Sequence, residues 1–330
     1  MKFLRLLAIT LVLAALAAAG ALAWWLNRPL PLAADSVEVS IELGTSPRDI
    51  ALAWVQAGVR TSPRLLYEWF RWSGQARKIR AGSYEIGRDT TPMSLLNKMV
   101  RGDETLAVVR LIDGWTFRQF RAELAKADSL KPTTAMMTDA ELMAALGAPD
   151  VLPEGRFYPD TYAYSKGASD LAVLKRAHRA MQKRLAAAWA ERAPDSPLRS
   201  PDEALTLASI VEKETGVPAD RGKVAGVFIN RLKLGMPLQT DPSVIYGLGA
   251  NFDGNLRKRD LQADTPYNTY VRAGLPPTPI AMPGKASLLA AMRPDPTKAL
   301  YFVSRGDGSS EFSETLAAHN RAVNQYQRGK

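Results

Sequence analysis

Residues 208–216 read ASIVEKETG, and two acids, Glu212 and Glu214, stand one residue apart at the end of that otherwise apolar run. A carboxyl group that extends an apolar helix face is partly desolvated, which raises its pKa and keeps its proton near neutral pH. A group tuned in that way can serve as a general acid. Positions three and four apart share a helix face, whereas positions two apart point to nearly opposite sides. Glu214 therefore continues the stripe Leu207, Ile210, Val211, and Glu212 falls near Leu205, Ala208 and Ser209. The two acids cannot face one bond as a cooperating pair. The negative end of the helix dipole also disfavours charge on Glu214. Glu212 could equally be shielded, because most of this helix is apolar, and a salt-bridged buried acid with no chemistry fits the same pattern.

Two later stretches supply a setting for an acid. Gln239-Thr240-Asp241-Pro242 forms a polar corner followed by Tyr246, and Tyr267-Asn268-Thr269-Tyr270 leads into the Pro- and Gly-rich loop that ends at Gly284. Amides, hydroxyls and tyrosine rings line carbohydrate clefts, where polar edges take hydrogen bonds and flat faces stack on sugars. The same residue types also build plain structural corners. For Asp241, capping the turn before Pro242 is as good a role as touching a substrate. With no cysteine and only His178 and His319, the chain offers no thiolate nucleophile and no histidine-rich metal site, so neither a metal nor another cofactor is expected. His319 reads as a structural hydrogen-bonding residue. A formal charge of +10 favours anionic surroundings. No zinc finger, phosphate loop or aromatic RNA-binding pattern accompanies it, which argues against nucleic acid.

The elements that must carry these residues read clearly in places. Lys2 and Arg5 precede an uncharged run from Leu6 to Leu26, closed by Trp24 and Trp25 and followed by Arg28. A membrane-crossing helix needs about 17–25 apolar residues and a signal-peptide core about 7–15. The run therefore predicts an anchor with its basic end in the cytoplasm, although Ala21-Leu22-Ala23 would also serve as a cleavage site. Residues 1–28 form this segment, and the Pro-rich residues 29–36 form a linker. Beyond it, Val37–Leu43 alternates as a half-buried strand. Ser46-Pro47 opens a helix and Thr61 or Ser62 with Pro63 opens another, residues 81–87 form a strand, and residues 91–102 form a helix stopped by Gly102. The remainder mixes strands at 107–112 and around a 306–308 turn with helices capped by Thr116, Ser169 and Ser200. Ser200 and Glu203 form an S-x-x-E capping box. The long helix after Ser169 carries Lys175, Arg176, Arg179, Lys183 and Arg184 at intervals that suit a solvated face. The fold class is α+β.

Taken together, EGRFYPDTY (154–162), LASIVEKET (207–215), FINRLKLGMPLQTDPSVIYGLG (228–249), YNTY with GLPPTPIAMPG (267–284) and YFVSRGDGSSEFS with HN (301–320) resemble the endolytic murein transglycosylase family (MltG, or YceG-like proteins). The resemblance implies a single-pass protein of the cell inner membrane whose catalytic domain acts on peptidoglycan in the periplasm. It implies a LysM-like subdomain at 37–103 and a catalytic domain at 104–330. Within the E-K-E-T motif it implies that Glu214 is the catalytic acid. Gln239, Thr240, Asp241, Tyr246, Tyr267, Asn268 and Tyr270 are the expected substrate-binding residues. A lytic reaction needs only one protein carboxyl, because the muramoyl C6 hydroxyl attacks C1 and leaves a 1,6-anhydro end. The family further implies partners among peptidoglycan synthases and a part in ending nascent strands. Two other readings use the same residues. One is a hydrolase with Asp241 or Asp264 as base, and the other is an anchored scaffold without catalysis.

Overall fold

A computed structural model describes residues 2–328. These fall into two compact units. One runs to Val108 and takes in Asp128–Leu130 and Ala163–Ala168; the other holds Val109–Ala127, Lys131–Tyr162 and the chain from Ser169 onward.

The first unit begins with α1 (Lys2–Asn27), of which Arg5–Asn27 is 23 residues long and apolar enough to cross a membrane. Its exposed apolar positions include Leu11, Leu13 and Leu16. Strand β1 (Ser36–Ile41) follows, then α2 (Pro47–Gln56), α3 (Pro63–Trp72), β2 (Gly82–Gly87) and α4 (Pro92–Arg101). β1 and β2 pair antiparallel from Ser36 opposite Gly87 to Ile41 opposite Gly82. Strict alternation buries Val37, Val39 and Ile41 and leaves the residues between them exposed. Those three side chains meet Ile50, Trp54, Leu66, Phe70, Tyr84, Leu95 and Met99 in one core. The starts of the helices follow the sequence closely. Ser46 accepts the Asp49 N–H, Thr91 and Ser94 form a reciprocal capping box, and α4 stops at Gly102 with φ 71°.

The chain continues through β3 (Leu106–Arg110), α5 (Phe117–Lys126), α6 (Asp139–Ala145), β4 (Thr161–Ser165), which pairs with β3, and α7 (Asp170–Ala190). Next come α8 (Pro201–Glu214), α9 (Pro218–Lys233), α10 (Asp241–Leu248), α11 (Lys258–Gln262) and α12 (Lys285–Met292). The hairpin of β5 (Tyr301–Ser304) and β6 (Ser310–Ser313) and helix α13 (Leu316–Val323) close the unit. The described residues are therefore mixed α+β, with helices dominating the second unit.

Helix α8 is the centre of that unit. Every residue from Ala204 to Val211 is buried, as expected of a helix that is apolar all round. α7, α9, α10 and α12 pack against it. Ser200 caps it by accepting the Glu203 N–H, but the Glu203 carboxylate reaches past the cap to the Arg199 N–H. The reciprocal bond of a capping box is thus displaced by one residue. A second departure lies at the Gln239–Pro242 corner, which is the start of helix α10. Its N-cap, Thr240, makes no side-chain cap because its hydroxyl is used elsewhere.

Candidate active site

Glu214 is the last residue of α8 and is half-buried. Its Oε1 accepts a hydrogen bond from the Thr240 hydroxyl. Burial pushes the Glu214 carboxyl up to about 7, the neighbouring Asp241 charge adds to the rise, and the Thr240 bond opposes it. Thr240 is itself buried and fixed from below. Its N–H donates to Thr269 Oγ1 at 3.0 Å, and Ser243 Oγ lies 2.9 Å from Thr269 Oγ1 and 2.9 Å from the Thr240 carbonyl. A knot of three buried hydroxyls therefore supports the one that reaches Glu214.

The rim beside Glu214 is polar. Asp241 is exposed, and its Oδ1 accepts the Tyr270 hydroxyl at 2.6 Å. The Tyr270 phenol is pushed up, first by burial and then by its bond to Asp241 and the Asp241 and Glu214 charges. Gln239 is exposed and holds a left-handed backbone, φ 52°. Its side-chain oxygen accepts from Arg231 Nη1 at 3.2 Å, and its N–H donates to the Thr269 carbonyl at 3.0 Å. Glu214, Gln239, Thr240, Asp241 and Tyr270 thus share one connected site.

Three other expected site residues lie elsewhere. Tyr246 and Tyr267 meet edge to face, with ring centroids 5.0 Å apart. Their hydroxyls are engaged, Tyr246 with Glu154 at 3.1 Å and Tyr267 with Thr278 at 2.8 Å. Asn268 departs from the expectation of substrate contact. It is fully buried, its amide donates to the carbonyls of Asp260, Leu261 and Ala263, and its oxygen accepts the Tyr270 N–H. An amide has two N–H groups and one oxygen, so this side chain has no donor left to offer. Its work is to shape the loop that presents Thr269 and Tyr270.

Glu212 points away from Glu214, as helical spacing requires. Its Oε2 accepts the Gly284 N–H at 2.9 Å. Asp113, on the same side, is raised by burial and then by the Glu212 charge. Asp264 is exposed and bound to Arg272 at 2.6 Å, an interaction that holds its carboxyl below the usual range. His319 stacks on Tyr301 at 5.3 Å, and burial lowers its pKa. No group of three His, Asp or Glu side chains is placed to hold a metal ion among the described residues.

Sequence reasoning passed over two residues near this machinery. Arg231 is buried beneath the Gln239 turn. Glu154 is 7% exposed, accepts the Phe117 N–H at 3.0 Å as well as the Tyr246 hydroxyl, and is raised by burial to about 7. Chemically, the main site offers one carboxyl poised to give a proton near neutral pH and to take one back.

Comparison with known proteins places the chain. The YceG-like family model matches residues 39–325. The chain belongs to the YceG-like family. A Bacillus subtilis relative named endolytic murein transglycosylase is 32% identical over 316 residues, covering 90% of this chain and 87% of the relative. A Streptococcus pneumoniae relative of the same name is 26% identical over 341 residues, and the match spans 61% of that longer protein. The crystal structure of a yceG-like protein from Listeria monocytogenes superposes with a TM-score of 0.56 at 29% identity, covering 87% of this chain and 98% of the other.

Proposed function

We propose that this protein is an endolytic peptidoglycan lytic transglycosylase that cleaves the β-1,4 bond between N-acetylmuramic acid and N-acetylglucosamine. Its relatives bear the name of that enzyme class. The observation that carries the reading is Glu214 itself, a half-buried acid raised to about 7 whose helix neighbour Glu212 is turned to Gly284 and whose rim neighbour Asp241 is engaged by the Tyr270 hydroxyl. Hydrolytic glycosidases set two carboxyls across the bond. Here the substrate supplies the nucleophile. Glu214 protonates the glycosidic oxygen as the C1–O bond breaks. Glu214, now a carboxylate, then takes the proton of the muramoyl C6 hydroxyl as that oxygen bonds to C1. The proton returns to Glu214 and no water is consumed. Intramolecular attack reaches effective molarities of about 10⁵–10⁸ M in well-oriented cases, so the reaction needs no second protein carboxyl. Gln239, Asp241 and Tyr270 offer hydrogen bonds to the sugars at the rim.

The rest of the chain serves delivery. Residues 1–28 anchor it in the inner membrane, residues 29–36 link, residues 37–103 form a LysM-like subdomain, and residues 104–330 form the periplasmic catalytic domain. The β-α-α-β order of β1, α2, α3 and β2 supports the LysM-like reading. An anchored enzyme meets strands as they are made, so we place it at the termination of nascent glycan beside peptidoglycan synthases.

Product chemistry tests the reaction. Purified glycan strands are incubated with the full chain and with Glu214→Gln, and the products are weighed by mass spectrometry. Muramoyl ends one water lighter than the reducing sugar, absent with the variant, are expected. Reducing ends would make the protein a hydrolase, and no cleavage by the folded chain would favour a scaffold.

A further inference from the structure

Arg231, on α9, is 7% exposed and takes no carboxylate partner among the described residues. A buried charge is costly unless it is compensated. All of its hydrogen bonds go to amide carbonyl oxygens. Nε donates to Leu300 O at 2.7 Å, and Nη1 donates to Pro237 O at 3.1 Å, Leu238 O at 3.0 Å and Gln239 Oε1 at 3.2 Å. The guanidinium also sits over the Tyr301 ring at 5.0 Å. Only a planar fork of N–H groups can gather several carbonyls in this way. What it gathers is a turn with a non-glycine residue in the left-handed region, a conformation an L residue avoids unless the surroundings hold it. The next residue is Thr240. From the opposite side Thr269 takes the N–H groups of Gln239 and Thr240, so the turn is pinned at both edges.

We propose that Arg231 is a positioning residue for proton transfer: by clamping residues 237–239 it holds the Thr240 hydroxyl on Glu214. The inference rests on the reading of Glu214 as the acid. The charged and titratable groups around Glu214 are Asp241 and, through it, Tyr270; those facing Arg231 are Tyr301, Tyr270 and His319. Thr240 donates to the ionised form of Glu214, so releasing it raises the Glu214 pKa. A general acid works while protonated, and the loss of activity on the alkaline side then moves to higher pH.

The test is the pH profile of kcat for the full chain in detergent on glycan strands, with Arg231→Lys, Thr240→Val and the double variant. Each single variant is expected to move the alkaline limb up by about half a unit and to lower kcat about ten- to a hundredfold. The double variant moves the limb no further than Thr240→Val. Loss in equal proportion at every pH, or a shift that adds in full to that of Thr240→Val, overturns the proposal. Thr240→Val carries the test alone if Arg231→Lys does not fold, and an unmoved limb then overturns it. Glu214→Gln runs alongside. If it stays active, the reading of the acid fails; if it is inactive while the limb of Arg231→Lys stays in place, only the role of Arg231 fails.

Discussion

Glu154 and Glu214 are both raised to about 7 by burial, yet they sit in opposite kinds of place. Glu214 is half-buried at a polar rim, whereas Glu154 is shut in, with both oxygens occupied by the Phe117 N–H and the Tyr246 hydroxyl. Glu154 therefore acts on stability. Its folded pKa lies above the ordinary value of 4.5, so the folded state holds a proton that the unfolded state has released. The stability it contributes is complete below pH 4.5 and is lost as pH rises to about 7. Glu154→Gln removes the titration while keeping an oxygen for Phe117 and an N–H for the Tyr246 oxygen. Urea melts should show the wild type losing stability between pH 5 and pH 7.5 by roughly 1–3 kcal/mol more than the variant. Equal slopes would mean that Glu154 is ionised in the folded protein. Helical spacing put Glu214 on an apolar stripe because that pattern is local, but it left Glu212 open, and the family motif alone implied which acid acts. Sequence reasoning missed Glu154 because that burial is built by partners 37 and 92 residues away, and nothing within a few residues announces it.

Among the elements, those with a strong local signal were legible. Ser46, Thr91, Thr116, Ser169 and Ser200 all cap where their side chains and the following residues required, and the β5–β6 hairpin turns around Gly306–Gly308 as its glycines suggest. Helix α10 was not legible. It is eight residues long, and its opening Gln-Thr-Asp-Pro-Ser reads as a turn. Tertiary contacts make it a helix. Gly247 is one of them, since a Cβ there would lie 2.9 Å from Tyr267 Cβ. Helix propensity favours Gly247→Ala by about 1 kcal/mol, while overpacking costs about 1–3 kcal/mol. The contact should win. The variant is expected to melt lower and to lose about tenfold in kcat as α10 and its Thr240 cap shift against Glu214. A higher melting temperature with full activity would show that α10 tolerates displacement from Tyr267.

At the scale of the whole molecule, the decisive quantity is the apolar length of α1. The 23 residues Arg5–Asn27 span about 35 Å at about 1.5 Å per residue, against a hydrocarbon core of about 30 Å. If α1 crosses the membrane it has a defined exit, because Trp25 packs on the core of the first unit while Trp24 lies exposed under the Arg28 guanidinium at 4.7 Å. Such a ring pair belongs at a membrane–water boundary. The net charge of +10 would also bind an anionic membrane, but salt screens that attraction within a Debye length of about 3 Å at 1 M. The two modes therefore separate in a wash. Membranes from cells expressing the full chain should retain it through 1 M salt and alkaline carbonate, and its intact mass should include residues before Ala23. Release by salt would assign the attachment to surface charge. A mass beginning at Trp24 would make residues 1–23 a cleaved leader and set the catalytic unit free of the bilayer, and the proposal that it meets strands as they emerge would go with it.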